Sequence, residues 1–203
     1  MDVVLATGNL HKLAEMRTLL EGLPLRLVSP GELPPGRRFE GAEETGATFE
    51  ANAAIKALHA ARSSGLWALA DDSGLEVPAL DGRPGVISAR YAGEGAGDLA
   101  NNRKLVAEAR AAGLVRPLAR FRCDLIVTTP EGRVVARGSG VCEGVLSEEA
   151  RGRGGFGYDP HFLVPDLDRT FAELLPSEKN AISHRARAAA GLVRALEPIL
   201  ASM

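Results

Sequence analysis

The stretch VVLATGNLHKLAEMRTLLEG (residues 3–22) starts with an apolar run, turns at Thr-Gly-Asn and continues with apolar residues at helical spacing. The first four residues predict a buried strand, and Leu13, Met16 and Leu19 predict a helix directly after the turn. A strand, a tight turn and a helix in this order are typical of α/β folds, in which helices cover a sheet. We expect strands and helices to alternate in the first half of the chain.

This alternation continues toward the C-terminus. The pattern predicts a strand at residues 25–29, an Ala-rich helix at 48–62, a short strand at 67–70 that ends in an Asp-Asp-Ser-Gly turn, a long Gly/Pro-rich loop at 78–97 and a helix between Asp98 and Gly113. Residues 119–142 predict a hairpin that projects as a two-stranded lobe, and the segment after it is mostly helical, with an interruption near Pro176. We therefore predict one α/β domain, residues 1–203, with a mixed central sheet flanked by helices.

The composition excludes several classes of protein. Of the 203 residues, 45% are hydrophobic and 25% are charged, which is ordinary for a globular protein and excludes wholesale disorder. The formal net charge of −2 gives no global attraction to nucleic acid or to an anionic membrane, so neither is a predicted partner. Two cysteines do not make a disulfide framework, and there is no signal-peptide pattern and no apolar run of about 20 residues. We predict a soluble, cytoplasmic protein.

The Thr7-Gly8-Asn9 turn can bind an anion. It lies at the start of a predicted helix, whose free N–H groups and dipole favour negative charge, and Lys12 follows one turn later. A phosphate would fit there, although neither GxxxxGK[ST] nor GxGxxG is present. An ordinary strand-to-helix turn with a capping residue is the alternative.

Two adjacent carboxylates, Asp71 and Asp72, follow the apolar segment at 67–70. Burial and mutual repulsion would raise both pKa values unless a cation compensates, and carboxylates suit Mg²⁺ or Mn²⁺. The pair Glu43 and Glu44 could supply a further ligand. Alternatively, Asp72 and Ser73 only shape a turn while Asp71 faces water.

Two further clusters lie near the C-terminus. In GGFGYDP (residues 154–160), glycines flank Phe156 and Tyr158 and could present an aromatic ring for base stacking, or the rings could simply fill the core. SEKNAISHRARA (residues 177–188) brings several cationic side chains together, either for phosphate or a purine carbonyl or as a solvated helix face. Taken jointly, the four clusters predict a nucleoside triphosphate site, because they supply phosphate donors, metal ligands, an aromatic platform and base-edge donors.

The same stretches resemble the inosine triphosphate pyrophosphatase family. The resemblance covers LATGNLHK, EETGATFEANAAIKA, ADDSGLEVPALDGRPGVISARYAG, GGFGYDPHF and EKNAISHRARA, in family order along nearly the whole chain. It implies an elongated α/β fold with two lobes around a nucleotide cleft, and a homodimer. It also implies hydrolysis of ITP, dITP and XTP, in preference to ATP or GTP, to the monophosphate and pyrophosphate with Mg²⁺.

The resemblance also implies roles for individual residues. The turn that grips the triphosphate matches Thr7, Gly8, Asn9, Leu10, His11 and Lys12. The proton acceptor and metal ligand matches Asp72, with Asp71 beside it as a second metal ligand and Ser73 contacting substrate. The loop that holds the nucleoside matches Phe156, Gly157, Tyr158 and Asp159, with Phe156 stacking on the base. The residues that read the base edge and the phosphates match Lys179, His184 and Arg185.

One position departs from the family pattern. The family usually has Phe-x-Glu-Asn, whereas Ala51 stands at the glutamate position in this chain. The remaining metal carboxylate is then Glu43, Glu44 or Glu50, and we prefer Glu44.

Two other functions remain open from the residues. One is a pyrophosphatase of modified pyrimidine or general nucleotides on a similar fold. The other is a nucleotide-binding module without turnover, against which the paired aspartates argue, since a binder gains little from repelling a triphosphate.

Overall fold

The computed structural model describes residues 1–202 and has a mixed α/β architecture, which confirms the predicted fold class. The strands in this range are Asp2–Leu5 (β1), Arg26–Val28 (β2), Trp67–Val77 (β3), Arg83–Pro84 (β4), Leu118–Thr128 (β5), Val134–Leu146 (β6), Phe162–Val164 (β7) and Arg169–Thr170 (β8). The α-helices are Leu10–Leu19 (α1), Phe49–Ser64 (α2), Asp98–Ala111 (α3), Pro176–Ile182 (α4) and His184–Leu200 (α5). None of the helices in residues 1–202 is long and apolar enough to cross a membrane.

The strands form one sheet of eight in the order β2-β1-β3-β5-β6-β7-β8, with β4 paired to β3. The pairs β1–β2 and β1–β3 are parallel, and the pairs β3–β4, β6–β7 and β7–β8 are antiparallel. The mixed pattern follows from the connections, because parallel neighbours need a crossover such as α1 or α2 whereas antiparallel neighbours need only a short turn.

The chain forms two compact units, each made of separate segments. Unit 1 consists of Met1–Asp72, Cys123–Gly140 and the segment that begins at His184. Unit 2 consists of Ser73–Arg122 and Val141–Ser183. The strands β3, β5 and β6 each contribute residues to both units, so the chain passes between the units within its strands. Whether the whole chain acts as the single predicted domain stays a prediction.

The core of unit 1 has helices on both faces of its strands. Leu69 of β3 packs with Leu13 and Met16 of α1 and with Leu192 of α5. The neighbouring Ala68, of opposite parity, packs instead with alanines of α2. Burial of these apolar side chains stabilises the unit by roughly 1.5–3 kcal/mol for each large one.

Two glycines of β6 allow α5 to lie directly on the strand. A Cβ atom at Gly138 would overlap the carbonyl oxygen of Ala188, and one at Gly140 would overlap the carbonyl oxygen of His184. This close approach fixes the first turns of α5, which carry His184 and Arg185.

The core of unit 2 is aromatic. The rings of Phe121, Phe162 and Phe171 lie 4.7–5.7 Å apart between centroids. Leu105 of α3 and Tyr158 belong to the same cluster. This cluster therefore joins α3 to the glycine-rich loop that contains Tyr158.

The predicted Asp-Asp-Ser-Gly turn was wrong. β3 continues through these residues to Val77, and both Asp71 and Asp72 lie inside it. Strand continuation buries Leu75 and Val77 in the core of unit 2 and pairs Val77 with β4. These tertiary contacts outweigh the local turn preference of Asp, Ser and Gly.

The prediction of a projecting two-stranded lobe was also wrong. The predicted strands exist as β5 and β6, but both are central in the sheet, with β3 beside one and β7 beside the other. The expected loop at 78–97 contains β4 and two 3-10 turns, Pro78–Leu80 and Gly85–Arg90. Pro176 begins α4 rather than interrupting a helix, because a proline at the first helical position loses no helical hydrogen bond. Cys123 and Cys142 are buried free thiols.

Candidate active site

The turn before α1 caps its own helix. The side-chain oxygen of Asn9 accepts hydrogen bonds from the backbone N–H groups of His11 at 2.9 Å and Lys12 at 3.2 Å. The hydroxyl of Thr7 in turn accepts from the N–H of Asn9 at 3.1 Å. Two of the donors predicted for an anion are therefore satisfied by the cap, while Gly8 and the side chains of Leu10 and His11 are exposed.

The adjacent aspartates point to opposite faces of β3, because successive side chains of a strand alternate. Asp71 has the parity of Leu69, which packs with α1 and α5. Asp72 has the parity of Ala68 and Ala70, which pack with α2. The two carboxylates therefore lie in separate environments, each with its own cations.

Asp71 is held in a buried network of ion pairs. Its oxygens lie 2.6 Å from Lys12 Nζ and 2.7 Å from Arg185 Nε, and its side chain is 0% exposed. The thiol of Cys123 also points at Oδ2, at 3.5 Å. Burial raises the pKa of Asp71, but the charges of Arg185 and Lys12 outweigh this effect and hold that pKa well below its usual range.

Arg185 is itself buried, with a side chain that is 1% exposed. Its NH1 group donates to Glu15 Oε2 at 2.5 Å while its Nε donates to Asp71. These contacts link α5 and α1 to β3. The preceding His184 is also buried.

Asp72 shares one lysine with Glu44. Lys56 Nζ lies 2.5 Å from Asp72 Oδ1, 2.8 Å from Glu44 Oε1 and 3.0 Å from the carbonyl oxygen of Asp71. Burial would lower the pKa of Lys56, but the two carboxylates raise it. Burial raises the pKa of Asp72, and the ammonium groups of Lys56 and Lys12 offset only part of the rise.

The other oxygen of Asp72 has no partner. Oδ2 is buried and forms no hydrogen bond with any of the residues described. A buried, unpaired carboxylate oxygen is unfavourable on its own and typically marks a place for a ligand, water or ion. Asp72 is thus the carboxylate whose environment leaves it available for chemistry.

A second side chain of α2 holds the segment that carries Glu44. Asn52 lies one helical turn before Lys56, and its Oδ1 accepts from the N–H of Gly46 at 2.7 Å. Gly46 follows Glu44 by two residues, so this bond fixes the carboxylate close to α2. By contrast, Glu50 pairs with Arg137 at 3.2 Å and both are more than half exposed.

The carboxylates of Asp72 and Glu44 fit a divalent cation. They converge on one positive charge, and Mg²⁺ usually takes one or two protein carboxylates together with substrate phosphates. The two carboxylate oxygens of Asp71 pair instead with Lys12 and Arg185. In residues 1–202 no group of three or more His, Cys, Asp or Glu side chains forms a metal site by itself.

The glycine-rich loop of unit 2 is built around Phe156. Gly155 and Gly157 on either side have positive φ values of 71° and 62°, which glycine adopts without strain. The N–H of Phe156 donates to Asp159 Oδ2 at 2.9 Å, and Lys179 Nζ donates to the same oxygen at 2.7 Å. Lys179 Nζ also lies 4.8 Å from the centroid of the half-buried Phe156 ring.

The structure separates the roles of the two aromatic residues. Tyr158 is 4% exposed and its hydroxyl donates to the carbonyl oxygen of Ser88 at 2.9 Å, so its ring belongs to the core. Phe156 is the aromatic side chain of the loop that remains partly accessible. Ser73, the first residue of unit 2, is half-buried.

Sequence reasoning missed three residues of unit 1: Lys56, Asn52 and Glu15. A signal existed for Lys56, which is the only lysine in the Ala-rich α2 and lies one turn after Asn52. Glu15 could have been suspected because it follows Lys12 by three residues on a helix.

Sequences of known proteins match almost the whole chain. Residues 3–195 match the model of the Ham1 family. A dITP/XTP pyrophosphatase of Desulforamulus reducens is 51% identical over 189 residues, which are 93% of this chain and 92% of that protein. A dITP/XTP pyrophosphatase of Geobacter sulfurreducens is 50% identical over 188 residues, with the same coverage of 93% and 92%.

Solved structures agree with the sequence matches. A HAM1 protein from Coxiella burnetii has a TM-score of 0.85 at 43% identity, with 100% of both chains covered. A nucleoside-triphosphatase / dITP/XTP pyrophosphatase from Mycobacterium abscessus has a TM-score of 0.74 at 42% identity, covering 95% of this chain and 99% of that one. The resemblance drawn from the motifs is confirmed, and the chain belongs to the Ham1 family.

Proposed function

We propose that this protein hydrolyses the non-standard purine nucleoside triphosphates ITP, dITP and XTP to the monophosphate and pyrophosphate. The observation that carries the proposal is the buried Oδ2 of Asp72, which has no partner in the described part of the chain, while the other oxygen of this carboxylate pairs with Lys56. Relatives named dITP/XTP pyrophosphatase, at 50–51% identity, support the choice of substrate.

Asp72 acts as the proton acceptor. Because burial raises its pKa, its carboxylate is a stronger base than an exposed aspartate. A water oxygen attacks the α-phosphorus, the bond from that phosphorus to the bridging oxygen of the β-phosphate breaks, and the proton of the water passes to Oδ2 of Asp72. Pyrophosphate is the leaving group.

Asp72 and Glu44 would hold a Mg²⁺ or Mn²⁺ ion, which supplies positive charge to the phosphate oxygens. Lys56 keeps these two carboxylates together. Asp71 serves as the fixed counter-ion of Arg185 and Lys12. An ammonium has three N–H donors, so Lys12 retains donors for phosphate oxygens while it pairs with Asp71.

The glycine-rich loop holds the nucleoside. Phe156 stacks on the base, and Lys179, whose ammonium lies beside the Phe156 ring, donates a hydrogen bond to the base edge. Hypoxanthine and xanthine carry a carbonyl at position 6, which accepts such a bond, whereas adenine carries an amino group there. The donor therefore disfavours ATP.

The direct test is release of pyrophosphate. Purified protein is incubated with ITP, XTP, dGTP or ATP in the presence of Mg²⁺, and pyrophosphate is measured. We expect kcat/KM for ITP and XTP to exceed that for ATP by about 10²-fold or more. Lack of release from every nucleotide would refute the proposal.

The roles of the carboxylates are tested separately. Asp72→Asn should lower kcat by about 10²-fold or more, because the amide cannot accept the proton of the attacking water. Glu44→Gln should weaken binding of Mn²⁺, followed by electron paramagnetic resonance without nucleotide. Glu50→Gln on α2 is the matched control and should bind Mn²⁺ like the unaltered protein, since Glu50 is an exposed partner of Arg137. Equal Mn²⁺ affinity of the two glutamine variants would remove Glu44 from the metal site.

A homodimer and a cytoplasmic location are part of the same proposal. Light scattering after size-exclusion chromatography tests the first.

A further inference from the structure

Two side chains of α3 form hydrogen bonds with the backbone N–H and carbonyl groups of one residue in the glycine-rich loop of unit 2. The N–H of Gly157 donates to Asp98 Oδ2 at 2.6 Å, and Asn102 Nδ2 donates to the carbonyl oxygen of Gly157 at 2.8 Å. Asp98 is the first residue of α3 and Asn102 follows four residues later, so both side chains lie on the same face of the helix. We name these two side chains the α3 clamp.

The clamped residue directly follows Phe156. Gly157 has a φ of 62°, in the left-handed region, and is flexible in the absence of restraints. On its other side, Tyr158 is fixed by burial and by its hydrogen bond to Ser88. The clamp therefore adds a restraint on the residue that follows Phe156, whose own N–H is bonded to Asp159.

The environment of Asn102 is explained by its contact with Gly157. It is buried, its Nδ2 bonds to Gly157, and its Oδ1 has no hydrogen-bond partner among the residues described. A buried amide with an unsatisfied oxygen lowers stability relative to an apolar side chain of similar size. Stability of α3 alone thus does not explain why an asparagine stands there.

We propose that Asp98 and Asn102 are positioning residues that hold Phe156 in place for the base of the nucleotide. This inference rests on the proposed function, because it assigns the clamp to the same nucleoside site. A loop that is already fixed in its bound conformation loses less conformational entropy on binding, so the clamp increases affinity for the nucleoside. It acts on the nucleoside and not on the phosphates.

The test separates nucleoside binding from phosphate binding. Asp98→Ala and Asn102→Leu each remove one bond of the clamp, and we expect each to raise KM for ITP about 5- to 10-fold while kcat changes less than about twofold. Inorganic tripolyphosphate serves as a competitor without a base, and its inhibition constant should stay within about twofold in both variants. Asp98→Asn keeps an oxygen that accepts from Gly157 and should restore most of the affinity for ITP.

Hydrogen exchange provides a readout that does not depend on turnover. The Gly157 N–H, observed by NMR, should exchange at least about fivefold faster in Asp98→Ala and in Asn102→Leu. Arg103→Ala is the matched control, because Arg103 is an exposed polar residue of the same helix. It should leave both KM and exchange unchanged.

The outcomes distinguish the two proposals. If the unaltered protein releases no pyrophosphate from ITP, the proposed function fails. If it does, but KM is unchanged in both clamp variants, or the inhibition constant of tripolyphosphate rises in parallel with KM, the positioning role is refuted. Unchanged exchange of Gly157 would refute it as well.

Discussion

Replacing Arg185 with methionine should destabilise unit 1 strongly. The substitution keeps an unbranched side chain of similar length but removes the guanidinium that pairs with Asp71 and Glu15. Asp71 is 0% exposed, so water cannot take over the lost contact, and Lys12 remains as its cationic partner. Glu15 is partly exposed and can be hydrated, so the cost comes chiefly from Asp71.

The size of the effect follows from burial. Removing one partner of a fully buried ion pair typically costs about 3–5 kcal/mol, and because Lys12 still offsets part of the Asp71 charge we expect a loss near the lower end of that range. In a protein of this length, that loss lowers the melting temperature by about 10 °C. An exposed arginine pair, by comparison, would cost at most about 1 kcal/mol.

Thermal and urea unfolding, followed by circular dichroism, measure the effect. Arg194→Met is the matched control, since Arg194 is exposed on the same helix and its replacement should change stability by less than about 0.5 kcal/mol. Asp71→Asn combined with Arg185→Met should cost less than the sum of the single changes by about 1 kcal/mol or more, because the double variant has no unpaired buried charge. A loss below about 1 kcal/mol for Arg185→Met, or strict additivity, would contradict the buried network.

Three further outcomes are expected. Gly140→Ala should lower the free energy of unfolding by about 1–3 kcal/mol, because the added methyl group would overlap the carbonyl oxygen of His184. Gly36→Ala, where the methyl group would lie in open space, should leave stability unchanged. Equal melting temperatures of the two variants would argue against the close approach of α5. Burial and a neighbouring carboxylate raise the pKa of the Cys123 thiol well above its ordinary value, and Cys142 is buried, so neither thiol should react with a disulfide reagent at pH 8 until guanidinium unfolds the chain. A thiol that reacts fast in the native protein would be inconsistent with this. Phe156→Ala should raise KM for ITP and leave inhibition by tripolyphosphate unchanged, and a parallel change in both would speak against a stacking role.

Local pattern predicted the helices better than the strands. The apolar spacing of α1 and the alanines of α2 are properties of short segments, and both helices lie where they were expected. The strand β3 was predicted too short, because Asp-Asp-Ser-Gly has the local composition of a turn. Its continuation depends on pairing with β4 and on burial of Leu75 and Val77, which a local pattern does not contain.

In the candidate site, too, neighbouring residues in the sequence predicted some features, whereas contacts between distant residues could not be predicted. The importance of Asp71 and Asp72 was visible from two adjacent charges in an apolar segment. Their different roles depend on cations 59, 16 and 114 residues away, namely Lys12, Lys56 and Arg185, and sequence spacing alone does not show which cation meets which aspartate. If the predicted strand had included both aspartates, the alternation of side chains along a strand would have shown that their carboxylates face opposite sides of the sheet.

The sequences of the two units are completed at different times during translation. Unit 2 ends at Ser183, so all its residues have been translated before the last segment of unit 1 exists, although unit 1 contains β1. Asp71 is made 114 residues before Arg185, which at about 5–20 residues per second leaves it without that partner for roughly 6–23 s. During this interval Lys12 is the only one of the two cations paired with Asp71 that has been made. Unit 1 can therefore reach its final ion-paired state only after α5 has been made, whereas unit 2 has its complete sequence earlier.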